Sequence, residues 1–196
     1  MATSRDNKTI SNFKAALIGG GARPNLFEVE LTTLPAGISW DADSFRYMCK
    51  AAQLPAQNVA NIDVPFRGRI FKVAGDRTID TWTVTIINDE SFALRNAFEE
   101  WADLIAKLDN NLGATDPSAY MSSAKVFQLG RGATKSSQNS AGSSNAVLKE
   151  YEFIDIWPSN VAAIDLSYYS SDTIEDFTVE FQVQSFRQVA SGGPNG

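Results

Sequence analysis

Hydrophobic residues recur at every second position over three stretches of the chain. Phe27, Val29 and Leu31 alternate with Glu28 and Glu30; Trp82, Val84 and Ile86 alternate with Thr81, Thr83 and Thr85; Phe177, Val179, Phe181 and Val183 alternate with Thr178, Glu180, Gln182 and Gln184. Successive side chains of a strand point to opposite faces, so each stretch predicts a strand with one dry face. Further strands are predicted over 45–52, 59–64, 69–73, 124–129, 147–156 and 164–169, set apart by clusters of Gly, Pro, Asn and Asp. Gly75-Asp76, between Val73 and Thr78, is the expected hairpin turn. One stretch follows another period: Leu94, Phe98, Trp101, Ile105 and Leu108 are spaced by fours and threes, which predicts an amphipathic helix of about five turns. Asn88 or Asp89 is its expected cap, and Asp103 with Lys107 its expected i, i+4 pair. The predicted fold class is mainly β: an antiparallel β sandwich or barrel with one flanking amphipathic α-helix that lies on the sheets and closes the core.

Composition removes most catalytic chemistries. The 196 residues are 43% apolar and 11% aromatic, enough for a packed core, yet they include no histidine and one cysteine, Cys49. A Ser-His-Asp triad, a Cys-His pair, a zinc finger, a His-ligated haem and an intrachain disulfide therefore cannot be built from this chain alone. No metal or cofactor is expected. The start, Met1 to Lys8, lacks the apolar core of a secretory signal, so synthesis and folding in a reducing cytoplasm are expected. Apolar runs such as Val161-Ala162-Ala163-Ile164 fall far short of the roughly 20 residues that span a bilayer. Three regions frame the expected organisation: a flexible arm over 1–21, one β domain over 22–187, and a flexible tail over 188–196. Within the domain, 130–145 is rich in Gly, Ser, Ala and Asn and is expected to be a flexible insertion.

Charge is unevenly spread. Residues 1–100 carry 11 basic and 12 acidic side chains and the remainder 6 and 11, so the net charge of −6 is mostly C-terminal. From Glu150 to Phe186 there are eight acids and no Lys or Arg. Such a surface disfavours conventional nucleic-acid binding, which relies on basic residues displacing counterions.

Candidate sites are few. Gly130 to Ser136 superficially resembles a phosphate-binding loop, but the spacing is one residue short and Thr134 replaces the glycine before Lys135. Asp41 with Asp43, and Asp172 with Glu175 and Asp176, lack a calcium-loop pattern and read as solvated turn residues. Cys49 reads as a small buried hydrophobe, and Asn7-Lys8-Thr9 is a glycosylation acceptor without meaning unless secreted. Arg67, Arg69, Lys72 and Arg77 form a basic group around the predicted hairpin, either a solvated face or an inter-subunit docking surface for acids on another copy.

Several blocks occur together in a fixed order: Ala22-Arg23-Pro24-Asn25-Leu26-Phe27-Glu28-Val29-Glu30, Cys49-Lys50-Ala51-Ala52-Gln53-Leu54-Pro55-Ala56, Val73-Ala74-Gly75-Asp76-Arg77-Thr78, Trp82-Thr83-Val84-Thr85, Asn88-Asp89-Glu90, the Trp157-Pro158-Ser159-Asn160-Val161 turn, and Phe177-Thr178-Val179-Glu180. This series, from about 22 to 186, resembles the tail tube proteins of contractile-tailed bacteriophages. The long N-terminal arm, the 131–145 insertion and the Ser-Gly-Gly-Pro-Asn-Gly tail depart from it. The resemblance implies a non-enzymatic structural subunit, assembled in the host bacterial cytoplasm into hexameric rings that stack as the tube inside the virion's contractile sheath. It implies tail sheath, tape-measure, baseplate and tail-terminator proteins as partners, and DNA that passes without sequence-specific binding. The rival it leaves open is the tube of a phage-derived contractile injection device that passes protein or ions. Thr178, Glu180, Gln182 and Gln184, on a wet face without a base, are the residues expected to face the lumen.

Overall fold

The computed structural model describes residues 9–17, 20–133 and 145–189. These fall into two compact units: 29–126 with 151–189 form the larger, and the described parts of 1–28 and 127–150 form the smaller. The elements are α1 (Ile10–Ala16), β1 (Phe27–Thr33), α2 (Ala42–Met48), β2 (Cys49–Ala52), β3 (Asn58–Phe66), β4 (Arg69–Thr78), β5 (Trp82–Ile87), α3 (Ala93–Ile105), β6 (Ser122–Ala133), β7 (Asn145–Val161) and β8 (Asp176–Val189).

Strands form where the alternation predicts them. In the larger unit, β1 buries Val29 and Leu31, β5 buries Trp82, Val84 and Ile86, and β8 buries Phe177, Val179 and Phe181. A curled antiparallel half-barrel sheet runs in the order β1-β6-β7-β8-β5-β2. The register of β5 on β8 pairs Trp82 with Phe181, Val84 with Val179 and Ile86 with Phe177, so both apolar sets lie on one face. The hairpin β3–β4 forms a separate two-stranded sheet.

Helix α3 closes that face. It buries Leu94, Ala97, Phe98 and Trp101, and the Phe98 ring lies 6.2 Å from Phe177, 6.0 Å from Phe181 and 5.0 Å from Trp40. Truncating Phe98 to Ala would cost about 3–5 kcal/mol through lost transfer energy and the cavity left behind. The indole N–H of Trp101 donates to the Tyr120 carbonyl at 2.8 Å, which satisfies a buried donor.

The helix is shorter than its apolar stripe predicts. A returning loop takes over one of its last carbonyls: the Ala114 N–H donates to Leu104 O at 2.9 Å, and just beyond the helix the Lys107 N–H donates to Leu112 O of the same loop at 3.0 Å. Leu108 is thereby left exposed and Lys107 falls outside the helix, so Asp103 and Lys107 are not a helical pair. Arg95 and Glu99 make the i, i+4 ion pair instead, at 2.7 Å. The N-cap is Phe92, at φ 53°, and neither Asn88 nor Asp89. The Asn88 amide donates to Glu175 at 2.9 Å, and Asp89 accepts from Ser91, whose hydroxyl oxygen accepts from the Ala93 N–H.

Four other expectations are corrected. The predicted strand 45–52 is helical up to Met48, because Asp41 caps α2: its carboxylate accepts from the Asp43 N–H at 3.3 Å and from the Ser44 hydroxyl at 2.9 Å. The helix sets Phe45 and Cys49 four residues apart in the core, and Phe45 stacks on Trp40 at 5.6 Å. The predicted strand 164–169 is a loop with exposed Leu166, Tyr168 and Tyr169. The block from Trp157 to Val161 is the end of β7 and not a turn. Gly75-Asp76 lies inside β4, and the hairpin turns at Arg67-Gly68, both with positive φ, 45° and 80°.

In the smaller unit, the Gln128 side-chain amide donates to the carbonyls of Arg23 and Leu26, both at 2.7 Å, and the Leu129 N–H donates to Leu26 at 2.8 Å. These bonds tie the opening segment to β6. Part of the expected flexible arm is helical: Thr9 caps α1, which leaves Ile10 and Phe13 exposed. Of the expected flexible insertion, 130–133 belong to β6 and Asn145 to β7, while 134–144 lie outside the described residues, as do 1–8 and 190–196.

Candidate assembly interface

The hairpin β3–β4 is the feature of the larger unit least accounted for by its own fold. Antiparallel pairing sets Ile62 opposite Val73, Val64 opposite Phe71 and Phe66 opposite Arg69, which gathers Ile62, Val64, Phe66, Phe71 and Val73 on one face. The other face carries Asn61, Asp63 opposite Lys72, and Pro65 opposite Ile70. All five residues of the apolar face are between 41% and 66% exposed. A two-stranded ribbon with that much uncovered apolar surface is marginal in water on its own, so this surface calls for a partner.

The four basic residues are distributed along this ribbon. Arg67 and Arg69 stand at the tip, where the Arg67 guanidinium lies 5.5 Å from the Phe66 ring centroid. Lys72 is mid-strand, opposite Asp63. Arg77 stands at the base, opposite Val59, with its guanidinium 5.2 Å from the Phe186 ring. They therefore do not form one basic cluster. The sequence did contain the apolar signal: Ile62, Val64 and Phe66 alternate, but alternation alone does not reveal that, among the described residues, this face stays largely uncovered.

The other four candidates share one face of β8. Thr178 is opposite Thr85 and Glu180 opposite Thr83, and both are half-buried, while Gln182 and Gln184 are exposed. The Ser159 hydroxyl donates to the Glu180 carbonyl at 3.1 Å and accepts from the Gln182 amide at 3.5 Å. Uncharged polar groups and one carboxylate make up this patch, with no base among them.

Of the remaining acidic candidates, Asp41, Asp43, Glu175 and Asp176 have local structural partners, and Asp172 is exposed. Arg46 bridges Asp43 at 3.7 Å and Glu30 at 3.3 Å; Glu175 holds Asn88, and Asp176 pairs with Lys50. Among the described residues no group of three or more His, Cys, Asp or Glu is placed to hold a metal ion. Cys49 is buried and burial pushes its thiol up to about 12, which disfavours the thiolate that reactivity requires. Asn7 and Lys8, and 134–136 of the loop compared with a phosphate site, lie outside the described residues.

Against known proteins, the profile of the phage tail tube protein family matches residues 22–189. The chain belongs to this family. It is 39% identical over 161 residues to tail tube protein gp19 of Enterobacteria phage T4, covering 82% of this chain and 88% of that one. It is 23% identical over 177 residues to the tail tube protein of Serratia phage KSP90, covering 89% and 93%. Among solved structures, a chain of the 6-fold symmetrised anti-feeding prophage baseplate superposes with a TM-score of 0.61 at 11% identity, covering 87% of this chain and 97% of that one. A chain of the extended PVC sheath-tube complex, from an extracellular contractile injection system, superposes with a TM-score of 0.52 at 11% identity, covering 96% and 99%. At such identities the injection-system likeness establishes the shared fold, while the phage relatives carry the function. The protein is a tail tube protein of contractile-tailed phage, a structural component of the virion.

Proposed function

We propose that this tail tube protein closes into hexameric rings that stack into a hollow conduit for phage DNA, without catalysis. The observation that carries this reading is the β3–β4 hairpin, a folded arm whose apolar face the other described residues leave open. A second copy is its natural cover, because a contact between unlike surfaces of identical subunits repeats from copy to copy, closing as a ring within a layer or growing a filament from layer to layer. Arg67, Arg69, Lys72 and Arg77 assist by meeting acids of the adjoining copy, which gives register and speed of association more than raw affinity.

The wet face of β8 then lines the bore. Thr178, Glu180, Gln182 and Gln184 offer passing phosphates no cationic anchor, and sixfold repetition of Glu180 makes the wall weakly repulsive. Filament growth needs a start, a length and an end, and the reading assigns these to baseplate, tape-measure and tail-terminator proteins, with the sheath around the tube. Assembly takes place in the host bacterial cytoplasm. This reading takes 1–21 as the arm, 22–187 as the tube domain and 188–196 as the tail, except that Gln188 and Val189, expected in the tail, belong to β8.

Electron microscopy of the purified protein at rising concentration tests the reading: hollow polymers of uniform width are expected, and a chain that stays monomeric with and without a baseplate contradicts it. For the bore, Glu180→Arg with Gln182→Arg leaves assembly intact and slows DNA ejection by creating a phosphate-binding girdle. Ejection at the normal rate from virions built of this variant contradicts the lumenal assignment.

A further inference from the structure

The larger unit carries a second uncovered apolar surface. The segment 162–175 between β7 and β8 presents Leu166, Tyr168, Tyr169 and Ile174 at 76% to 106% exposure. Local turns hold it in shape: the Tyr169 N–H donates to the Ser167 hydroxyl at 3.2 Å, and the Thr173 hydroxyl donates to the Ser170 carbonyl at 3.4 Å. Its charged residues are Asp165, Asp172 and Glu175, with no Lys or Arg. Between the segment and the start of β8 lies a cleft of about 440 Å³, with Ile164, Leu166 and Ile174 among its walls.

The hairpin and this segment sit at opposite ends of β5. The hairpin's base lies at the start of that strand: the Asn58 amide donates to Asp80 at 2.6 Å, two residues before Trp82, and the Trp82 indole donates to Gln53 at 3.0 Å. The segment lies at its end, where Ile87 pairs with Asp176 and the Asn88 N–H donates to the Glu175 carbonyl at 2.9 Å. Six residues of strand separate the two, roughly 17 Å at about 3.4 Å per residue. One surface is apolar and basic, the other apolar and acidic, and they stand at the two ends of one strand. That arrangement suits a contact between successive copies.

We propose that segment 162–175 of one copy is the socket for the β3–β4 hairpin of the next. This deepens the tube reading and rests on it. The face of Ile62, Val64, Phe66, Phe71 and Val73 covers Leu166, Tyr168, Tyr169 and Ile174, while Arg67 and Arg69 meet Asp165 and Asp172. Tyrosine and arginine are the residue types that most often anchor interfaces: an aromatic body gives contact area and the guanidinium lies on the ring face. Head-to-tail geometry also explains why neither surface has a cover among the described residues: each copy offers one of each kind, and a stack buries both.

Charge exchange between two chains tests the pairing. Arg67→Glu with Arg69→Glu gives a chain with an acidic hairpin and an acidic socket; Asp165→Lys with Asp172→Lys gives a chain with both basic. Each alone is expected to yield roughly tenfold less sedimentable tube than the unaltered protein at low salt, and their equimolar mixture to restore tubes in which the two alternate. All four positions are exposed, so circular dichroism of each variant should match the unaltered chain. Normal tubes from the Asp165→Lys, Asp172→Lys chain alone, or no recovery on mixing, overturn the socket while the tube reading stands. Failure of the unaltered chain to form any tube sinks the tube reading itself, and the socket with it. Should a charge variant misfold, Phe66→Cys and Tyr169→Cys in one chain give a disulfide between successive copies in oxidised tubes; tubes without that bond overturn the proposal. The buried Cys49 does not compete in this reaction.

Discussion

Phe153 and Ile156 are three residues apart on β7, yet both are buried, because Asp155 between them takes up a left-handed conformation at φ 55°. A regular strand would set them on opposite faces. The extra residue bulges out, Asp155 is exposed, and the following positions change face, so that Pro158 is also buried. Phe153 can then stack on Trp82 at 4.5 Å while Ile156 stays in the same core.

Asp tolerates that backbone better than a β-branched residue does. Asp155→Val is therefore expected to lower stability by about 1–2 kcal/mol, and Asp155→Gly to leave it level or slightly raised. Urea denaturation of the two variants measures the difference; equal midpoints would remove the bulge as the reason for the double burial.

Gly75 is required by close approach and not by a turn. A Cβ there would meet the Ile62 side chain at 3.1 Å and the Ala60 carbonyl at 3.2 Å, at the irregularity where the β3–β4 register shifts. Gly75→Val is expected to loosen the hairpin along its length, whereas Gly68→Val strains only the tip. Hydrogen exchange of the 58–66 amides reads the difference: faster exchange throughout for Gly75→Val, and near the tip alone for Gly68→Val.

Cys49 gives a pH prediction. Its folded thiol loses its proton only at about 12, against an ordinary value of 9.0, because burial disfavours the thiolate. The unfolded chain thus releases a proton that the native chain keeps, and stability contributed by the neutral thiol is complete below about 9 and declines as pH rises from about 9 toward about 12. Cys49→Ala should flatten this alkaline decline while lowering stability at neutral pH through the lost side-chain volume. An unchanged alkaline limb in the variant would contradict the assignment. Native protein at pH 8 should also resist thiol reagents that label it fully in urea.

The charged part of the hairpin responds to salt. If Arg67, Arg69 and Lys72 meet acids of a neighbour, the concentration needed for tube growth rises as salt is raised from 50 to 500 mM, by roughly an order of magnitude. Reversing all three to Glu should leave a folded chain that polymerises poorly. Light scattering and circular dichroism follow the two properties separately, and normal growth of the triple variant would reduce these residues to a solvated face.

The sheet could be read from the chain because one face of β1, β5 and β8 is covered within the same chain, and burial and period then agree. Helix α3 was legible for the same reason, though its last turn was not: the stop comes from Ala114 reaching back to Leu104, a contact between distant backbone groups that no side-chain period encodes. Helix α2 was hidden because Phe45 and Tyr47 suit a strand, and its one clear signal, Asp41 beside Asp43 and Ser44, reads equally as a set of solvated turn residues. Ile164, Leu166 and Tyr168 alternate as a strand would, yet the segment is an exposed loop. The assembly surfaces shared that difficulty. Period reports which residues share a face, and whether that face is covered by the same chain or by another copy lies outside it.

The packing of subunits is visible in a cryo-EM reconstruction of tubes grown from the purified chain. Rings of six subunits are expected, with the β3–β4 hairpin buried against a neighbouring copy and Thr178, Glu180, Gln182 and Gln184 on the wall of the bore. A polymer in which the hairpin stays in solvent, or in which those four side chains face outward, would contradict the account.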